Sequence, residues 1–412
     1  MKKYVFFCWL LLSALCVALP AAAAGSGVTV DVLDSYRCDY GVDIPFTRSP
    51  RTRDYTFALY LGSPAAGAPE VQANVTVSTD SPVTVHLPLR YDPAGPSTYT
   101  LQVTARANAS RKGLDRETPV RKTFTTAPSC GCPAGTAGAF YVGDGSEGAP
   151  FLVASTEQLG HVGSAAHLQT GSSFLQTGHL DLAGKTVAPI GSLHSHFLGH
   201  YSGGGYTVSN LNLQNADANG LFGYLQEATI ENLGVVGATV PSGGAGGPIT
   251  GVAENSTIRR CWTKGCTVFQ TTFGGHAGGL VGLLYSSSVV QDCYVQNITA
   301  TADTDAAGLL GMTGEVGAAV SASGCYVDGM TLSGMSCGAT IGCWFAPSGS
   351  YPTLYCLDSV SYPLYGRNNQ TSGVTGTKVP ALTPQYLAGF DFTDVWEMKD
   401  GLPRLRVEQS LS

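Results

Sequence analysis

The stretch GGLVGLLYSSSVVQDCYVQN, from Gly278 to Asn297, decides the fold. An apolar run punctuated by glycine passes through Ser286-Ser287-Ser288 into a second short run, Val289-Val290, and then into Cys293-Tyr294-Val295. Both runs are too short for a stable helix and are fenced by turn residues, so they read as strands. The same order recurs in NGLFGYLQEATIENLGVVG from Asn219, GGPITGVAENSTIRRCWTKG from Gly246, AGLLGMTGEVGAAVSASGCYVDG from Ala307 and CGATIGCWFAPSGSYPTLYCLDS from Cys337. The second glycines, Gly223, Gly251, Gly282, Gly311 and Gly342, follow one another at 28, 31, 29 and 31 residues. Short strands repeating at this period build a parallel β-solenoid, in which a coil buries its apolar side only against the next coil. A propeller blade needs a longer period, and a leucine-rich repeat needs a denser leucine frame.

The rest of the chain is consistent with an all-β protein. Of its 412 residues, 53 are glycine, 43% are hydrophobic and only 12% are charged, which excludes a disordered acidic or basic chain and a coiled coil. Lys2 and Lys3, the apolar stretch from Val5 to Leu19 and the small residues Ala22-Ala23-Ala24 read as an export signal over residues 1–24. No later stretch reads as a membrane span, and no LPxTG-like tail is found. Residues 28–129 alternate with period two in Tyr55–Tyr60, Val83–Leu87 and Tyr99–Val103, which suits an immunoglobulin-like or fibronectin type III-like sandwich. The solenoid is expected over 138–407. The net charge of −7 lacks the clustered Lys/Arg footprint that nucleic acid demands, so the expected partner is an extracellular glycan or protein.

The repeats and their flanks together resemble the GLUG repeat of bacterial surface proteins. Gly145–Val153 with Thr156-Glu157-Gln158-Leu159 resembles the entry segment of that family, and Phe197-Leu198-Gly199-His200 followed by Gly203–Leu211 resembles its F-x-G unit. Phe390-Asp391-Phe392, Val395-Trp396-Glu397 and Gly401–Leu405 resemble its closing strand pair. The resemblance covers roughly residues 140–407. It implies a right-handed parallel β-helix in an exported, adhesin-like surface protein. Some members precede immunoglobulin-cleaving metallopeptidases, but this chain has no H-E-x-x-H.

Cys261, Cys293, Cys325 and Cys356 recur at 32, 32 and 31 residues, with Leu233 in the same slot of the first repeat. A slot that accepts Leu is apolar, so the four read as a buried structural ladder, with disulfides between neighbouring coils as the alternative. Cys38 with Cys130 or Cys132 could tie the ends of the sandwich together. Trp262, Tyr294 and Tyr326 each follow a ladder cysteine. Alternation turns them outward if the cysteines point in, and with Trp344 they are the candidate ligand-binding platform. His194, His196 and His200 lack an acidic neighbour to complete a metal shell, and Asp303-Thr304-Asp305 lacks the glycine-spaced acceptors of a calcium loop. No G-x-S-x-G, paired-carboxylate or phosphate-cradle motif is found. No catalytic residue, cofactor or metal is therefore assigned, and the expectation is a non-catalytic module rather than a polysaccharide-active enzyme or a stalk.

Overall fold

The computed structural model describes residues 41–410 apart from 49–51, 80, 90–91, 107–118, 169–170, 315–319, 345–352 and 369–375. The export signal and Cys38 lie outside the described residues. The chain divides into two compact units, one chiefly Gly41–Leu89 with Tyr99–Phe124, the other chiefly Thr125–Ser412.

The first unit has two antiparallel sheets. Gly41–Phe46 pairs with Val83–Pro88, and Asp54–Leu61 lies between Val71–Thr76 and Thr98–Ala105, with Val120–Thr125 outermost. Period-two alternation sends Tyr55, Phe57 and Leu59 to one side, where Phe46 meets the Tyr55 and Phe57 rings at 4.6 and 5.1 Å between centroids.

The second unit is a parallel β-solenoid of about six coils. Each complete coil has three faces. The first stacks Phe151–Val153, Ser173–Gln176, His200–Ser202, Thr229–Glu231, Thr257–Arg259, Val289–Gln291 and Ser321–Ser323. The second carries Thr207–Ser209, Gly234–Val236, Trp262–Lys264, Tyr294–Thr301, Cys325–Ser333 and Leu354–Leu357 in parallel register. The third stacks Phe222–Gln226, Thr250–Glu254, Val281–Tyr285, Leu310–Thr313, Ile341–Trp344 and Tyr365–Asn368. Ile230, Ile258 and Val290 from the first face meet Val235 and Val295 from the second and Leu225, Ala253 and Leu284 from the third in one continuous core.

The corner between the first and second faces is turned by Asn232, Arg260, Asp292 and Gly324, all with left-handed backbone. That conformation costs an ordinary L-residue about 1–2 kcal/mol, and it is repeated here because it swings the next side chain into the core. The residues that follow are Leu233, Cys261, Cys293 and Cys325, which stack in register. The thiols are buried, and the N–H groups of Cys261 and Cys293 each donate to the sulfur of the next coil at 3.4 Å. Burial pushes the Cys261 and Cys293 thiols well above their ordinary range, which suits a packing role. Cys356 does not belong to this ladder. Leu354 pairs with Cys325, and Cys356 pairs with Val327 two positions on.

The repeat-marking glycines do not turn the chain. Gly223, Gly251, Gly282, Gly311 and Gly342 lie inside the third-face strands, not at turns, and none has positive φ. They are glycine because the neighbouring backbone leaves no room for a side chain: a Cβ on Gly251 would sit 2.2 Å from the Asn219 nitrogen, and one on Gly282 2.4 Å from the Gly246 nitrogen.

Candidate functional site

The aromatic stripe points away from the solenoid core, as alternation requires, but it is not exposed. Trp262, Tyr294 and Tyr326 are 1%, 0% and 0% exposed. Their rings stack nearly parallel, Trp262 on Tyr294 at 6.5 Å and Tyr294 on Tyr326 at 5.1 Å. The chain end covers them. Leu382, Leu387, Phe390, Trp396 and Leu405 pack on the stripe, Tyr326 Oη donates to the Pro403 carbonyl at 2.6 Å, and Tyr294 Oη donates to Glu408 at 2.8 Å. Further along, the Gln409 N–H donates to the Gly205 carbonyl, and His179 Nε2 lies 3.2 Å from the Ser410 carbonyl. The tail therefore runs along the second face from the last coils back to the first. Trp344 lies in the solenoid interior, at 2% exposure. None of the four offers a ligand an open ring, so the exposed platform expected from the sequence is corrected to an internal seam. The covering segment comes from the far end of the chain, which local alternation does not register.

The third face carries a different polar and aromatic patch. Register aligns Gln226, Glu254 and Tyr285 in one column. Tyr224, from the neighbouring column, donates its hydroxyl to Glu254 at 2.9 Å and also meets the Tyr285 hydroxyl. Gln226 Nε2 donates to the same carboxylate at 3.2 Å. The His196 ring stacks on Tyr224 at 4.1 Å between centroids and 16°. Burial, with Tyr285 and Glu254 alongside, raises the Tyr224 phenol and keeps it a neutral donor. Gln226, Glu254, Tyr285 and His196 are half-buried, so hydrogen-bonding edges and an aromatic ring reach solvent together.

Two ion clusters tie coils together. Glu231 accepts from Arg259 Nε at 2.7 Å, Arg260 Nη2 at 3.0 Å and His200 Nε2 at 3.1 Å. The hydrogen bond from His200, with Arg259 adding and burial opposing, holds this carboxyl near 2, below its ordinary 4.5. A carboxyl depressed on folding contributes stability that is complete above its unfolded value and is lost as pH falls toward the folded one. The stability difference between wild type and Glu231→Gln should therefore be largest near neutrality. It should shrink between about pH 5 and pH 2, by at most about 3 kcal/mol, as followed by denaturant titration at a series of pH values. In the second cluster Asp305, fully buried, accepts from His276 Nδ1 at 2.8 Å and Arg367 Nη2 at 3.3 Å. Asp303 faces elsewhere and accepts from the Gly274 and Gly275 N–H groups, so the two carboxylates of the D-x-D do not converge.

The three histidines near residue 196 also separate. His194 is exposed, His196 stacks on Tyr224 and His200 pairs with Glu231. A histidine pair that the sequence reading passed over, His161 and His167, meets Cys130 and Cys132 at the start of the solenoid. Burial pushes His167 down to about 4, with His161 adding, and pushes the Cys132 thiol up to about 11, with Cys130 adding. Among the described residues this is the cluster with metal-ligand chemistry.

No family model matches the chain. A protein of Evansella cellulosilytica with the name "Putative Gly-rich membrane protein" is 31% identical over 113 residues, which is 26% of this chain. The match covers 13% of the relative's own length. A solved structure from Bacteroides ovatus, titled as that of a "putative immunoglobulin A1 protease", is similar to this chain with a TM-score of 0.49 and 20% identity, over 65% of this chain and 95% of the other.

Proposed function

We propose that the chain is an exported surface protein, with an immunoglobulin-like N-terminal sandwich and a right-handed GLUG-type β-helix, and that it binds an extracellular glycan or protein without turning it over. The patch of Tyr224, Gln226, Glu254, Tyr285 and His196 carries the binding reading. A carboxylate, a carboxamide and phenols held around partly open rings match the hydroxyls and the apolar ring faces of a sugar. Export is supported by the signal-like residues 1–24, and a place at the cell envelope by the word "membrane" in the name of the Evansella relative.

The test is a binding screen of the full chain against glycans and extracellular proteins, with a product assay on the same samples. Saturable binding is expected, weakened about tenfold or more by Tyr285→Ala and by Glu254→Gln, with no product released. Wild-type binding by both variants would remove the patch from consideration. Product release from any polymer would make the chain an enzyme, and self-association without a ligand would make it a stalk.

A further inference from the structure

The Cys130-Gly131-Cys132 turn approaches the short helix Thr156–Val162 at the end of the solenoid where Phe151–Val153 is the outermost first-face strand. Gly131 takes φ +74°, which folds the two cysteines back toward one point. His161 comes from the last turn of the helix, and His167 from the turn that follows, where its N–H donates to the Ser164 carbonyl. The two sulfurs and two imidazole nitrogens all lie within 4.8 Å of one another. His161 Nε2 and His167 Nε2 are 3.2 Å apart, and Cys132 Sγ is 3.4 Å from the first and 3.8 Å from the second.

The three separations among Cys132, His161 and His167 are close to those of a tetrahedral shell, and Cys130 Sγ lies within 4.8 Å of all three. With Zn–S near 2.3 Å and Zn–N near 2.0 Å, tetrahedral angles put two nitrogens about 3.3 Å apart and a nitrogen about 3.5 Å from a sulfur. The surroundings fit as well. Phe140 lies 5.3 and 5.4 Å from the two imidazoles between ring centroids, and Phe151 and Phe174 lie 5.5 and 6.2 Å from His167. This wall leaves His161 and His167 only 9% and 3% exposed. Two thiolates and two neutral imidazoles around a divalent ion make a complex of zero net charge, which an apolar wall can hold. No carboxylate belongs to the cluster, so calcium and magnesium find none of the hard oxygen ligands they need.

We propose that Cys130, Cys132, His161 and His167 bind one zinc ion, and that this structural site fastens the lead-in segment to the first coil. Zinc enters as the divalent ion, the two thiol protons leave to solvent, and no redox change occurs. The end of a solenoid has no further coil to cover it, so a metal cross-link there suppresses fraying where it would begin. The proposal is independent of the ligand-binding reading and survives its failure.

The test uses the full chain, purified under reducing conditions, stripped with a chelator and reloaded. Metal analysis should give about one zinc per chain. Cobalt(II) in its place should give the intense visible d–d bands of a tetrahedral site and a thiolate-to-cobalt charge-transfer band. Cys132→Ser and His167→Ala should each weaken zinc by more than the roughly 10–100-fold that loss of an outer-shell partner costs. Cys266→Ser, a buried cysteine elsewhere in the solenoid, should leave the stoichiometry unchanged. Chelation should increase amide exchange in Phe151–Val162 while leaving Thr250–Tyr285 protected. A folded wild-type chain that takes up no zinc, an octahedral cobalt spectrum, or a Cys130–Cys132 disulfide in protein recovered from the exporting cell would each overturn the proposal. The cobalt measurement is made on the wild type, so it decides the matter even where a variant fails to fold.

Discussion

Asp305→Ala should destabilise the solenoid by about 1–3 kcal/mol, the cost of leaving buried and half-buried donors without their acceptor. The carboxylate is fully buried and joins His276 from the preceding coil to Arg367 two coils further on. Without it the Asp305 pocket is emptied, His276 loses its acceptor, and Arg367, whose side chain is 44% exposed, turns to solvent. Asp305→Asn keeps the shape and one acceptor but not the charge, and should cost less. Coils in a solenoid can open separately, so denaturant midpoints need support from hydrogen exchange. Exchange in His276–Gly278, Asp305–Ala307 and Ser336–Gly338 should rise most, because these three strands pair directly.

The second large effect belongs to the glycine column. Gly251→Ala should cost about 3 kcal/mol or more, because the added carbon meets the Asn219 nitrogen at 2.2 Å and the Ala218 carbonyl carbon at 2.6 Å. Those are backbone atoms of the adjoining coil, and no rotamer change relieves them. Gly265→Ala is the control. Its Cβ would meet nothing within 4 Å, and only the left-handed backbone resists it, at about 1–2 kcal/mol. Thermal melts of the two variants should therefore separate clearly, with the non-turn glycine the more damaging.

The coil period is legible in the sequence because the backbone contact at each marked glycine recurs once per coil. Its meaning is less legible: glycine at a close approach and glycine at a turn look alike as letters. Spacing also misleads at Cys356. The interval between cysteines counts loop residues as well as register, and a slot two residues earlier in the last coil, held by Leu354, continues the ladder. The outward direction of Trp262, Tyr294 and Tyr326 follows from alternation, whereas their cover depends on residues around Trp396 and Glu408, far off in the chain. The third-face column was open to reading, since Gln226, Glu254 and Tyr285 each stand three residues after a marked glycine. The Cys130, Cys132, His161 and His167 cluster was not, because neither half makes a metal motif until the first coil brings the two together.

The tail along the second face limits how such an array can change its copy number. Most solenoids lengthen or shorten by whole repeats, because a coil recognises only its neighbours. Here one terminal segment is matched to aromatic rings from successive coils, with Tyr355, Tyr326 and Tyr294 held at Ala388, Pro403 and Glu408. A duplicated coil inserted between Tyr294 and Tyr326 would move one set of rings out from under its cover and leave a tryptophan or tyrosine facing water. The tail is matched to the spacing of these coils, and an added repeat would break the match.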